Sequence, residues 1–363
     1  MLRTQSVAFP LGEVASIAPV FIVGSGRCGT TLLRLILNRH RTLAILGETS
    51  PLARSRRHGP LAHTPSLNRF CKDWTLTLRK SSPHPEMIQS AKLRSKLATA
   101  SCYAEAIDLT VSHYAAIEGK TRWGYKSPED VQRLGKIVRA FPNAKIIHMT
   151  RDPRAVVRSF LVKERRAFNF TNLYYVARYW AKCERLADRF EKFAPQKIRR
   201  IRYEDLIERP EATVRDICSF IGVDFEDRML EVSASAQKYA PKLPDGQLDP
   251  AHRELLKPIN AAPMAKWKKD FSLPMVGLIE VAARNWLTRR GYTEMLGRPP
   301  KVGVLRLCAL EIGWQIDKLR HFVRRFSLMA FWTVRACFEW VQTPQRDVAD
   351  GDERSYSCGQ KSN

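Results

Sequence analysis

Eight consecutive residues near the N-terminus, Gly24-Ser25-Gly26-Arg27-Cys28-Gly29-Thr30-Thr31, have the composition of a loop that holds an anion. Glycines let successive backbone N–H groups turn inward, and a helix opening at the end of the loop adds positive potential. Gly24 and Gly29 have Walker A spacing, but Thr30 stands where that loop carries its lysine, and Arg27 supplies a cation earlier. No clear Walker B carboxylate follows to hold magnesium. These departures point away from a magnesium triphosphate and toward a nucleotide with a simpler 5′ anionic group. The plain alternative is a glycine-rich turn that only joins strand to helix. Position between strand and helix, with Arg27 and the Thr30-Thr31 pair inside the loop, favours the anion.

A second candidate anion site lies downstream. Lys145 to Thr150 (KIIHMT) reads as a strand, Arg151 stands at its carboxyl end, and Ser159 follows eight residues later in the next helix. Ligands of open α/β sheets bind at the carboxyl ends of strands. An arginine fork with a hydroxyl suits a phosphate there. The competing reading is an Arg151–Asp152 pair with a surface serine.

The elements that must position these groups alternate in type. Val20-Phe21-Ile22-Val23 is a short continuous apolar run, the pattern of a strand covered on both faces. Thr30 to Arg39 carries Leu32, Leu33, Leu35, Ile36 and Leu37, which fits a helix packed on the sheet, and a second short strand closes residues 19–50. Residues 51–90, rich in Pro, Ser, Arg and His, read as a surface loop or insertion, and residues 91–118 as helical. Trp123-Gly124-Tyr125-Lys126 ends a strand. Ser127 as N-cap, Pro128 at the first position, and Glu129 and Asp130 in the first turn predict a helix to about Ala140. Pro153 opens another helix, residues 172–193 form a helix with an aromatic stripe, and Lys197 to Tyr203 alternates as a strand. Glu211 to Ile221 forms a helix closed by Gly222. The fold class is therefore α/β: a P-loop-like parallel sheet flanked by helices on both faces, with a helical C-terminal extension.

Composition bounds the function. The chain has 363 residues, 44% hydrophobic and 27% charged, which excludes a mainly disordered chain and an integral membrane bundle. Lys and Arg (61) exceed Asp and Glu (36), so the formal charge of +25 calls for an anionic partner. The eight cysteines are scattered, with no Cys-x-x-Cys pair and no zinc spacing, so no metal site is expected. The N-terminal stretch MLRTQSVAFPLGEVASIAP lacks a long apolar core and carries Glu13, so neither a signal peptide nor an anchor is expected, and a cytoplasmic location is. Three regions are expected: a P-loop-like domain over 1–297, a basic amphipathic helical extension over 298–341, and a disordered tail over 342–363. Residues 298–340 hold eight Lys/Arg against three Asp/Glu, interleaved with aromatics. They read either as a helical cap on the domain, the preferred reading, or as an interfacial helix touching anionic lipid.

Four segments, in order, resemble the sulfotransferases that use 3′-phosphoadenosine 5′-phosphosulfate (PAPS). VFIVGSGRCGTTLLRLILNRHRTLAILGE resembles the 5′-phosphosulfate loop, and KIIHMTRDPRAVVRSFLVK the 3′-phosphate motif. IRYEDLIERPEATVRDICSFIGVDF resembles the strand and helix that follow, and LLKPINAAPMAKW the late Lys-Pro segment. Within that family the sequence is most similar to tyrosylprotein sulfotransferases, through Arg27, Glu48, Lys126-Ser127-Pro128 and Lys257-Pro258-Ile259-Asn260. Carbohydrate sulfotransferases share much of the pattern. Departures are Cys28 in place of a serine, Lys163 in place of an arginine, and no match upstream of Lys257 for the serine that serves the transition state in the tyrosylprotein enzymes.

The resemblance implies roles. Gly26, Arg27, Cys28, Gly29, Thr30 and Thr31 would cradle the phosphosulfate, with Lys126 and Arg27 at the sulfuryl oxygens and Lys257 closing over them. Glu48 would take the acceptor proton. Arg151, Ser159 and Lys163 would hold the 3′-phosphate, with Tyr203 near the nucleotide. The implied partners are PAPS and a protein tyrosine, or alternatively a sugar, lipid or small-molecule hydroxyl; nucleic acid is not expected, and a homodimer stays open. A P-loop kinase or NTPase is the competing enzyme class, and a basic nucleic-acid- or membrane-binding module the non-catalytic one.

Overall fold

Val20–Gly24 (β1) is buried along its whole length and pairs in parallel on both sides, with Arg122–Lys126 (β3) and Lys145–Thr150 (β4). Leu43–Leu46 (β2) extends the sheet beyond β3, and Ile198–Arg202 (β5) extends it beyond β4, so the order is β2-β3-β1-β4-β5 with every pair parallel. The computed structural model describes residues 18–49, 51–54, 90–100, 102–166, 170–240, 259–293 and 307–316, with 84, 87, 255, 256, 305 and 319.

Two apolar layers follow from the period of two along each strand. Phe21, Val23, Leu46, Tyr125 and Ile146 face one cluster, shared with Tyr103–Ile117 (α3, after the shorter α2 at Ala91–Ala98) and Leu134–Ala140 (α4). Val20, Ile22, Ile45, Ile147 and Met149 face the other. That layer holds Thr30–Leu37 (α1) and, later in the chain, Pro210–Ile221 (α8) and Val232–Tyr239 (α9). A third cluster gathers Pro153–Lys163 (α5), Phe170–Phe193 (α6) and Leu273–Ala283 (α10). Tyr203–Glu208 (α7) follows β5 directly.

Most predicted elements lie within a residue or two of their expected bounds, and four differ. The span 51–90, expected as a surface loop or insertion, opens with a short helical turn at Pro51–Arg54 whose Leu52 is buried. The helix expected over residues 91–118 is two helices, α2 and α3, broken between them. The helix expected from Pro128 begins as a 3-10 turn over Pro128–Arg133 and becomes α-helical only at Leu134. The tighter turn accompanies the inward position of Asp130, which is fully buried and bonded to the Tyr125 hydroxyl at 3.0 Å and to Arg133 at 3.0 Å. The alternating stretch 197–203 is a strand only to Arg202, because Tyr203 opens α7. Most of 51–90, the span 320–341 and the tail after 342 lie outside the described residues.

One glycine fixes the sheet spacing. A Cβ at Gly124 would sit 2.3 Å from the Val20 carbonyl oxygen and 2.7 Å from Ile45. The β1–β3 pair is closed against backbone there, and backbone cannot yield as a side chain end can. Gly124→Ala is expected to cost about 1–3 kcal/mol in denaturant unfolding; an unchanged midpoint would contradict this packing.

Candidate active site

All five strands end at the same edge, and each delivers a residue to it. β1 runs into the loop Gly24–Thr31, β2 is followed by Glu48, β3 ends on Lys126, β4 on Thr150 before Arg151, and β5 before Tyr203. The parallel sheet thus collects groups far apart in sequence.

The loop takes the conformation its glycines allow. Gly26 and Gly29 have φ of 81° and 93°, and Arg27, a residue for which such a conformation is strained, has φ of 56°. No side chain caps α1 at Gly29, and uncapped N–H groups at a helix start form an arrangement able to bind an anion. Arg27 Nε donates to the Ser159 hydroxyl at 3.1 Å, and its own carbonyl accepts from Arg151 at 3.3 Å. The two anion motifs of the sequence are therefore in direct contact. Thr30 is buried at the start of α1, and Thr31 is partly exposed beside it.

Cys28 is fully buried, and burial pushes its thiol up to about 11, so it packs as a protonated thiol. Its sulfur leaves no room for a side chain at Gly24, where a Cβ would meet it at 2.5 Å. A Cβ at Gly29 would meet the Tyr203 ring at 2.4 Å, so Tyr203 packs directly against the loop. The Arg151 guanidinium lies over the same ring, 4.2 Å from its centroid.

Glu48 and Lys126, 78 residues apart, form an ion pair at 2.7 Å. The lysine side chain is 6% exposed and the carboxylate 52%. Burial pushes Lys126 below the usual lysine range, with the Glu48 carboxylate opposing. For Glu48, burial pushes the carboxyl up, but the Lys126 charge and hydrogen bond, with Lys163 and Arg27 further out, hold it below the usual carboxylate range. Lys163, exposed at the end of α5, thus contributes to the field at Glu48. Lys257 lies outside the described residues.

Residues to which the sequence assigned no role hold this edge in place. The Trp180 indole donates to the Arg151 carbonyl at 3.0 Å, and Glu204 accepts from the next N–H, that of Asp152, at 3.0 Å. The Tyr292 hydroxyl donates to the other oxygen of Glu204 at 2.9 Å. Asp152 caps α5 through the Arg154 N–H at 2.8 Å and pairs with the Arg154 side chain at 2.8 Å, so its guanidinium partner is Arg154. Arg154 also bonds Glu280 at 2.8 Å, which ties the strand end to α10. No spacing rule marks Glu204 or Tyr292; their partners are set by the fold. Among the described residues, no group of three His, Cys, Asp or Glu side chains could hold a metal ion.

The sulfotransferase family model matches residues 19–227. The chain is 23% identical over 287 residues to protein-tyrosine sulfotransferase A of Caenorhabditis elegans, covering 78% of this chain and 69% of the relative. It is 24% identical over 313 residues to protein-tyrosine sulfotransferase 1 of Danio rerio, covering 83% and 80%. Among solved structures, the sulfotransferase domain from the Synechococcus PCC 7002 olefin synthase is similar at 25% identity and a TM-score of 0.50, covering 75% of this chain and 97% of that one.

The ion pair has a titration signature. A carboxyl held low in the fold adds stability above its unfolded pKa and loses it as pH falls through the folded value. In an NMR titration of the free protein, Glu48 is expected to titrate below the usual carboxylate range, and Lys126→Met to move it upward. A Glu48 that titrates identically in both would contradict the pairing.

Proposed function

The chain belongs to the sulfotransferase family, and on that premise we propose that it moves the sulfuryl group of PAPS to an acceptor hydroxyl, with a protein tyrosine as the first acceptor to try. The contact of the two anion motifs carries the reading: Arg27 of the loop touches both Ser159 and Arg151. One ligand with an anion at each end spans such a site, and PAPS has that form.

The residues present fit that ligand. The loop from Gly26 to Thr31 offers N–H groups and the Thr30 and Thr31 hydroxyls to the 5′ end. Arg151, Ser159 and Lys163 stand at the carboxyl end of β4 and on α5 for the 3′-phosphate, and Tyr203 lies between the two. Lys257 is proposed to close over the phosphosulfate. When bound, PAPS supplies the sulfuryl group. Arg27 and Lys126 place fixed positive charge where negative charge develops on the leaving oxygen, and preorganised charge of this kind often does more for the rate than any other device. Glu48, ionised and partly exposed beside Lys126, accepts the proton of the acceptor hydroxyl. A phenol with a pKa of about 10 gives up that proton far more readily than a sugar hydroxyl. The tyrosine acceptor is further supported by the names of the relatives at 23–24% identity.

The test is transfer of labelled sulfur from PAPS to an acidic tyrosine peptide. Arg27→Ala and Glu48→Gln are each expected to lower kcat by about 10²–10³ with melting temperature unchanged. Arg151→Ala should instead raise the KM for PAPS by about tenfold or more. Full activity in Glu48→Gln would remove it as the base, and transfer to a sugar but not to the peptide would move the acceptor.

A further inference from the structure

Residues 307–316 are helical, as are Leu305 and Leu319, and one side of this helix is fixed to the domain. Leu307, Leu310 and Trp314 pack on the cluster built by α5, α6 and α10, and Trp314 meets the Tyr175 ring edge-on at 5.4 Å. Glu311 sets the rotation. It accepts from the Tyr174 hydroxyl at 2.5 Å and from Arg178 at 3.0 Å, and it lies 3.6 Å from Arg284. Gly313 lets the helix come close, since a Cβ there would be 2.5 Å from the Tyr175 hydroxyl.

That rotation points a second apolar face outward. At about 100° per residue, Leu307, Leu310, Glu311 and Trp314 span about 100° of the helix. Leu305, Ile312, Ile316 and Leu319 fall within about 60° on the opposite side. These four are between 44% and 87% exposed, and they are four of the nine large hydrophobic residues exposed among those described. Cys308 and Ala309, also exposed, widen the stripe without adding charge. A stripe of this kind on one helix marks an interaction surface.

Charge selects the partner. Residues 298–340 carry eight Lys/Arg against three Asp/Glu, within a chain of formal charge +25. In sequence the apolar spacing continues at Val323 and Phe326, beside Arg320, Arg324 and Arg325. A second copy of the chain would bring two such basic segments together. An anionic bilayer accepts the apolar stripe at its acyl boundary and the basic side chains among its headgroups. Among the described residues no helix is long and apolar enough to cross a membrane, so the contact is one of lying on the surface. We propose that the helical face carrying Leu305, Ile312, Ile316 and Leu319 docks the protein on an anionic membrane surface, with these four as the inserting side chains. The cap and membrane readings of this segment then describe two faces of one helix.

Co-sedimentation of the full chain with vesicles tests this, using phosphatidylcholine alone and phosphatidylcholine mixed with phosphatidylserine. The parent is expected to pellet with the mixed vesicles, less as salt rises, and weakly with the neutral ones. Ile312→Asp combined with Ile316→Asp should weaken binding by about tenfold or more at an unchanged melting temperature, because both side chains point away from the domain. Should that variant melt early, Ile312→Ser with Ile316→Ser gives the same readout with less disruption. Equal binding of parent and variant, equal binding to both vesicle types, or no binding at all would overturn the proposal. A dimer of the parent that the variant makes monomeric would overturn it too, by assigning the stripe to a second copy.

Discussion

Everything at the candidate site depends on β1 being paired in parallel on both sides. Its register sets Ile22 beside Lys126 and Gly24 beside Met149, one residue before Thr150 and two before Arg151. Because the strands run the same way, their carboxyl ends form one edge. The glycine loop turns at that edge, where Gly26, Arg27 and Gly29 take positive φ. The close approach of Gly124 to the Val20 carbonyl holds the β1–β3 spacing that keeps Lys126 at the loop. A shift of one residue in either register would turn every side chain to the opposite face and separate the loop from both cations.

The edge concentrates positive charge, and the structure manages it by pairing and by backbone contacts. Lys126 is buried and has Glu48 beside it; Arg151 lies on an aromatic ring and bonds a carbonyl; Arg27 bonds a hydroxyl. A ring, a carbonyl and a hydroxyl orient these arginines at the edge, and an oriented guanidinium fork is the geometry that recognises an anion. The strand end around them is fixed in turn by Trp180 on the Arg151 carbonyl, Glu204 on the following N–H, and Asp152 turned to Arg154. Such a scaffold keeps the donors oriented before a ligand arrives, and preorganisation of this kind lowers the cost of stabilising developing charge.

Much of this is legible from the chain. KIIHMT followed by Arg-Asp-Pro defines a buried strand and a proline-started helix, and both lie where the pattern puts them. The glycine loop and Gly222 are legible because positive φ leaves few alternatives. Local rules fail where tertiary contacts decide. The 3-10 turn after Ser127 goes with the inward Asp130, and the end of β5 at Arg202 reflects Tyr203 turning onto Gly29. The pairing of Glu48 with Lys126 and the bond between Arg27 and Ser159 join residues 78 and 132 positions apart, which no single-sequence period encodes. Glu204 and Tyr292 escape sequence reasoning for the same reason. In the basic segment near the C-terminus the sequence offers a cap reading and a lipid reading, and the Glu311 contacts fix which helix face is covered.

The central claim is that the loop and the β4 end form one site for a ligand with an anion at both the 5′ and the 3′ position. Thermal stabilisation by adenosine 3′,5′-bisphosphate, compared with AMP and with ATP plus magnesium, tests it most directly. A ligand at about 100 times its dissociation constant adds roughly 2.7 kcal/mol, which a melting curve resolves. The expected result is a shift with the bisphosphate that needs no metal, a smaller shift with AMP, and the loss of the difference in Arg151→Ala. A shift seen only with magnesium-ATP would contradict it.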